Sequence, residues 1–385
     1  MTFYKFISIV LCLSLLLSVF AGCKGDKVAD NTDSPSTPSP DLSSSLPDDE
    51  TQNNETNSSN TSSQKPSNNK PTRTSVVKKY GLKKGLNLSA LEGATKTNSF
   101  LDKETTYTDI ASKGFDHIRL PVDFRNYSDK NGVIKESFYE RLDKIIKMAN
   151  DTGLVVMLDF HGWYNLNVTN GDDKLFLAIW NDLAKHYKGN NDKLMFELIN
   201  EPHTTENGDL DMTKLMALQM KALKQIRSID SERTVVIAAP EWNGPWTLKN
   251  FTVPNYDNII VAIHIYEPLD FTHQGMAWAG TSDVKLPLTT EMLISLTAEL
   301  ILIKEFTDRT GCEVILNEFG LNTTGHISDE DVNKYLTRIV EYTEKNNIPW
   351  TYWCYNGDFG VYKSGFLGIG GSWRQNVLDA LFQKK

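Results

Sequence analysis

The hydrophobic pattern from residue 76 onward alternates two periods. Short apolar runs occur at Leu82–Leu88, His117–Pro121, Leu154–Phe160, Leu194–Asn200, Thr234–Ala239, Ile259–Ile265, Val314–Asn317 and Trp350–Tyr355. Runs this short, rich in Val, Ile, Leu and Phe, predict buried strands. Between them lie helical repeats; Phe138, Leu142, Ile145, Ile146 and Ala149 share one face of a helix. Several of these stretches end in glycine just before the next strand, at Lys113-Gly114, Thr152-Gly153, Lys188-Gly189 and Thr310-Gly311. Glycine there takes the left-handed conformation that closes a helix. Eight strands separated by helices predict an α/β fold, a (β/α)8 barrel. A doubly wound open sheet is the alternative, but no glycine-rich phosphate loop follows any of the strands.

The N-terminal pattern differs. Lys5 precedes an apolar run from Phe6 to Phe20, followed by Ala21-Gly22-Cys23. The run is short of the roughly 20 residues a spanning helix requires, so residues 1–22 read as a secretion signal. Residues 23–75 are rich in Ser, Thr, Asn, Asp and Pro, and Lys24 to Ser75 contains no aromatic residue. Such a stretch cannot bury enough apolar surface to offset chain entropy and is expected to be a disordered linker. A flexible chain of about fifty residues spans roughly 40 Å between its ends. Residues 76–385 form the single globular domain and hold all eight tryptophans.

The net charge of −9 and the lack of a basic cluster exclude nucleic acid as an expected partner. Cys312 opens one strand candidate and Cys354 closes another, which places them at opposite ends of a parallel sheet. No disulfide, metal site or cofactor is expected from them, and a monomer is expected.

In a barrel of this kind functional residues gather at the C-terminal ends of the strands. Six of the ends are Arg119-Leu120-Pro121, Asp159-Phe160-His161-Gly162, Asn200-Glu201-Pro202-His203, His264-Ile265-Tyr266-Glu267-Pro268, Asn317-Glu318-Phe319-Gly320 and Trp353-Cys354-Tyr355-Asn356. Glu201 and Glu318 end strands three apart around the ring and can face each other across the mouth. Paired carboxylates, one protonated to assist the leaving group and one ionised to attack, are what glycosidic cleavage requires.

Asn200-Glu201-Pro202 with Glu318 three strands later resembles the clan of retaining glycosidases with strand-four and strand-seven glutamates. Arg119, His161, His264-x-Tyr266 and Trp353, in that order, narrow the resemblance to glycoside hydrolase family 5, over roughly Leu82 to Trp373. The ending Phe20-Ala21-Gly22-Cys23 resembles a bacterial lipobox, which implies a lipid on Cys23, attachment to a membrane and an extracellular, cell-surface location. The segment Tyr266 to Gly275 is similar to a bacterial endoglucanase branch of the family. Asn317 departs from the pattern, since glycine commonly precedes the nucleophile.

The resemblance implies Glu201 as acid/base and Glu318 as nucleophile. It implies that Arg119 and Tyr266 hydrogen-bond Glu318, and that Asn200 binds the sugar 2-hydroxyl. It further implies that His161 and His264 line the subsite of the attacked sugar and that Trp353 forms its floor. Other residues stay with two readings. Glu197 and Asp159 read as interior hydrogen-bonding residues. His203 either touches a sugar or caps its loop; Trp242, Trp246 and Trp278 are sugar platforms or loop packing, with Trp242 and Trp278 preferred as platforms. Trp180 reads as core, and His117, His186 and His326 as structural or exposed. The expected activity is a retaining endo-β-1,4-glucanase acting on β-linked polysaccharide. The alternatives are a β-mannanase, a xyloglucanase or a broad β-glucan/mannan hydrolase. A cell-surface carbohydrate-binding lipoprotein without turnover is the non-enzymatic alternative.

Overall fold

A computed structural model describes residues 73–93, 100–161, 172–189, 193–204, 212–365 and 370–383. The signal, Cys23 and nearly all of the linker lie outside the described residues. Eight parallel strands close into a barrel in sequential order: β1 (Lys84–Asn87), β2 (His117–Val122), β3 (Val155–Phe160), β4 (Leu194–Glu197), β5 (Val235–Ala238), β6 (Ile259–Ile265), β7 (Val314–Phe319) and β8 (Trp350–Tyr352). Each lies on a strand predicted from the apolar pattern. The ladders of β4 and β8 stop three residues earlier than expected, and β7 runs two residues further, to take in Glu318.

Among the described residues, seven helices of eight or more residues pack outside: α1 (Glu104–Ser112), α2 (Glu136–Asp151), α3 (Asp172–His186), α4 (Met212–Ile229), α5 (Thr290–Thr310), α6 (Asp329–Lys345) and α7 (Gln375–Phe382). The predicted face of α2 is buried at Phe138, Leu142, Ile145, Ile146 and Ala149. Gly311 closes α5 at φ 68°, where its N–H bonds to the Thr307 carbonyl. The strand–helix alternation fails after β5. Pro240, Gly244 and Pro245 interrupt helix growth there, leaving a short turn at Pro240–Asn243 and a 3-10 turn at Pro245–Lys249. An antiparallel pair after β8, Tyr362–Ser364 with Gly371–Trp373, is too short for periodicity to reveal.

Alternation along the strands sorts side chains into two sets. Outward residues such as Leu86, Ile118, Val156, Phe196, Ile263 and Leu316 pack beneath the helices, and Trp180 is fully buried among them. Inward residues Met157, Met195, Val236, Ile260, Ala262 and Ile315 fill the barrel's lower half, with Val76 and Leu82 packed against them. His117 also points inward; its Nε2 lies 2.8 Å from Thr351 Oγ1. Gly85 makes room for it, since a Cβ there would meet the imidazole at 2.1 Å.

Candidate active site

One layer above that apolar filling, the inward positions turn polar. Arg119 on β2 has no solvent exposure. Its Nε and Nη2 donate to the two Glu197 oxygens at 2.7 and 2.9 Å, and Nη2 also reaches Asn200 Oδ1 at 2.8 Å and Asp159 Oδ2 at 2.9 Å. Nη1 donates to Glu318 Oε1 at 2.5 Å and Asn87 Oδ1 at 3.0 Å. Burying a guanidinium is costly unless it is paired and hydrogen-bonded. Here three carboxylates and two amide oxygens surround it, and its pKa stands well above the ordinary value because Asp159, Glu197 and Glu318 outweigh desolvation. Glu197 and Asp159 are thus interior partners, as read from the sequence.

Glu318 reaches this layer through an irregularity. Ile263 pairs with Leu316, but His264 pairs with Glu318, so Asn317 is an extra residue in β7. Ile315 and Asn317 already face inward by alternation; the bulge brings Glu318 inward as well. Asn317 is buried, with its carbonyl accepting from Asn87 Nδ2 at 2.9 Å. Asn87 therefore ties the bulge to Arg119. It escaped the reading of strand ends, although its place near the end of the first apolar run would have singled it out.

Around Glu318 the donors converge. Besides Arg119, the Tyr266 hydroxyl donates to Oε2 at 2.9 Å. Glu201 has a different neighbour: Oε1 lies 2.7 Å from His264 Nδ1. Burial pushes both glutamates above the ordinary carboxylate range. His264 and Arg119 chiefly oppose that rise at Glu318, and His161 and Arg119 oppose it at Glu201. The direct contacts separate them chemically. Glu318 receives a cation and a hydroxyl donor, which favour the carboxylate, whereas Glu201 meets an imidazole whose pKa burial pulls down to about 4. The Glu201 side chain is 20% exposed against 5% for Glu318, so the first opens to the cleft.

Ligand atoms of Glu201, His264 and Glu318 lie within 4.8 Å of one another. That trio is close enough to hold a metal ion. It also brings one oxygen of each glutamate within 4.8 Å of the other's, on the side of the short separation of roughly 5–5.5 Å found in retaining glycosidases rather than the roughly 6.5–9.5 Å that admits an inverting water.

His161 Nδ1 lies 2.7 Å from Asp159 Oδ2, and its ring is nearly parallel to Trp353, 5.7 Å between centroids. The His203 ring stacks on Trp242 at 4.5 Å, and His203 Nδ1 lies 2.8 Å from the Glu201 carbonyl. Trp278 is 70% exposed, edge-on to His273, while Trp246 is 49% exposed beside Gly244. His273, buried between Tyr266, Trp278 and Phe359, was not singled out in the sequence.

Asn243 was also missed. It is fully buried, with Nδ2 3.1 Å from His264 Nε2. It belongs to a run of three left-handed residues, Glu241, Trp242 and Asn243, at φ 48°, 57° and 57°. Such non-glycine conformations cost on the order of 1–3 kcal/mol each and persist where surroundings over-determine them. Here the Trp242 N–H donates to the Pro202 carbonyl at 3.2 Å, and Thr204 donates through N and Oγ1 to the Glu241 carboxylate at 3.3 and 2.6 Å. The β5 loop is thereby clamped to the segment that follows Glu201.

The family description Cellulase (glycosyl hydrolase family 5) matches residues 77–359. The chain belongs to glycosyl hydrolase family 5. Among relatives in this family, Endoglucanase 3 of Fibrobacter succinogenes is 28% identical over 342 residues, covering 74% of this chain and 51% of that protein. The chain thus spans about half that relative's length. Cel5A of Thermotoga maritima, solved in complex with cellobiose, superposes with a TM-score of 0.72 at 30% identity, covering 79% of this chain and 99% of that one. The Clostridial cellulose synthase subunit Z of Clostridioides difficile gives 0.70 at 28% identity, covering 78% and 99%. Cysteines 312 and 354 are buried free thiols.

Proposed function

We propose that this chain is a retaining endo-β-1,4-glucanase that cleaves β-glucan by double displacement, with Glu201 as acid/base and Glu318 as nucleophile. Membership of family 5 makes it a cellulase-type glycoside hydrolase. The observation that carries the residue assignment is the asymmetry of the pair: Glu318 is held by Arg119 and Tyr266, Glu201 by His264.

In the first step Glu318 attacks the anomeric carbon while the Glu201 proton passes to the departing glycosidic oxygen. Once the covalent bond forms, the negative charge beside Glu201 is gone, its proton affinity falls, and it takes a proton from water for the second displacement. Asn200 holds the 2-hydroxyl. His161 and Trp353 form the wall and floor for the attacked sugar. Trp242 and Trp278 extend the cleft as platforms, with His203 backing Trp242. A broader β-glucan/mannan specificity is the second reading, because Cel5A of Thermotoga maritima is also solved with mannotriose.

Attachment to the cell surface through a lipid on Cys23 belongs to the same proposal, supported by the apolar run and the Phe20-Ala21-Gly22-Cys23 ending. The test is a polysaccharide panel with product analysis, run on the wild type and Glu318→Ala. Soluble oligosaccharides from β-glucan that vanish in Glu318→Ala, with oligosaccharide binding kept, are expected. Full activity in that variant, or products from mannan alone, overturns it. Release of a Cys23→Ala chain from membrane to medium checks the anchor.

A further inference from the structure

His264 stands between Glu201 on one ring nitrogen and Asn243 on the other, and which nitrogen carries the proton decides what Glu201 can do. Nδ1 faces Glu201 Oε1 at 2.7 Å and Glu318 Oε2 at 3.7 Å, while Nε2 faces Asn243 Nδ2 at 3.1 Å. The residue is 4% exposed, and burial, helped by the nearby Arg119 charge, outweighs Glu318 in lowering its pKa, so the ring holds a single proton. Two carboxylates beside Nδ1 attract that proton; an amide N–H pointed at Nε2 requires a lone pair there. Both ends of the ring agree.

We propose that Asn243 is a positioning residue that locks His264 as the Nδ1–H tautomer and so keeps the catalytic proton on Glu201. The proposal rests on the reading of Glu201 as acid/base. With Nδ1 protonated, His264 donates to Oε1 in every protonation state of Glu201, leaving Oε2 to carry the proton that reaches the glycosidic oxygen. With the other tautomer, Nδ1 becomes an acceptor and the acid proton settles in a hydrogen bond to imidazole, away from the leaving group.

The surrounding loop serves this placement. Asn243 reaches His264 because Glu241, Trp242 and Asn243 turn left-handed in succession, and asparagine tolerates that backbone better than most residues. The turn is tied at Pro202 and Thr204, so the amide and the acid/base segment are held by one set of contacts.

Asn243→Asp keeps the shape and the tolerance for positive φ but turns the donor into an acceptor, so that Nε2 becomes protonated. The experiment is nitrogen NMR of the full chain labelled at its seven histidines, with His264 assigned through a His264→Asn variant. The wild type is expected to show a neutral ring protonated at Nδ1, and Asn243→Asp a ring protonated at Nε2. In parallel, kcat on an unactivated β-glucan oligosaccharide should fall about ten- to hundredfold, part of the roughly 10²–10⁴ that proton transfer supplies. The fall should be smaller on an aryl glycoside whose leaving group needs no proton.

A wild-type ring protonated at Nε2 overturns the proposal, and this holds even if the variant fails to fold. An unchanged tautomer in a folded variant, or equal losses on both substrates, also overturns it. Failure of the underlying assignment shows separately: a Glu201→Gln enzyme at full rate on the unactivated substrate removes the acid/base role whatever the tautomer.

Discussion

Arg119 and Glu197 form a two-point pair, 2.7 and 2.9 Å, with both side chains wholly shielded from solvent. The pair spans neighbouring interior positions of the barrel and leaves Nη1 free to face Glu318. Glu197→Ala removes two hydrogen bonds from the buried guanidinium but leaves Asp159 and Glu318 beside it, so the cost is that of lost hydrogen bonds to a charged group, about 1.5–3 kcal/mol, rather than of a stranded charge. Glu197→Ala is expected to lose stability of that order in urea unfolding, with Glu197→Gln losing less because it can still accept from Arg119. Stability within about 0.5 kcal/mol of wild type in the alanine variant would show that the pair is dispensable.

Tyr266→Phe removes one donor from Glu318 and nothing else from its contacts with that group. Hydrogen bonds to charged groups contribute about 1.5–3 kcal/mol. If the bond holds Glu318 as an oriented carboxylate, kcat should fall roughly tenfold to hundredfold. The thermal midpoint should shift little, so kinetics and melting measured together separate the two effects.

Asp159 has its carboxyl pushed up to about 7, chiefly by burial, against 3.8 for the free side chain. A folded value above the unfolded one means that the fold prefers the protonated acid. The corresponding stability is present below about pH 3.8 and is lost as pH rises through about 7. Asp159→Asn removes this titration. The difference in Tm between variant and wild type should therefore move in the variant's favour from pH 4 to pH 8. A difference that stays flat across that window would place the Asp159 proton elsewhere.

Trp278 is 70% exposed, so its replacement by alanine should leave the fold intact. As a sugar platform it would contribute about 0.5–1.5 kcal/mol, roughly two- to tenfold in KM on long substrates. Shorter oligosaccharides that do not reach it should be unaffected. Equal KM on all lengths assigns the ring to loop packing.

Much of this was legible in the chain. The eight apolar runs and their polar endings located the barrel and gathered Glu201, Glu318, Arg119, His264 and Tyr266 at one mouth. Asn87 and Asn243 were not seen, for different reasons. Asn87 is the last residue of β1, but the apolar run carries on to Leu88, so the lone polar position did not mark the strand's end. Asn243 sits in Pro240-Glu241-Trp242-Asn243-Gly244-Pro245, which reads as an ordinary turn; its reach to His264 depends on three positive φ values that no periodicity encodes. Register is equally silent in sequence. Strict alternation from Ile315 and Asn317 would have sent Glu318 outward, into the helix layer.

That last point bears on how this site tolerates change. A β-strand keeps its faces by parity, and a shift of one residue exchanges them. The inward face of Glu318 therefore depends on the bulge: with Asn317 present, flattening it into strict pairing would turn Glu318 away from the cleft, whereas removing Asn317 would leave a regular ladder that keeps Glu318 opposite His264 but loses the carbonyl that accepts from Asn87.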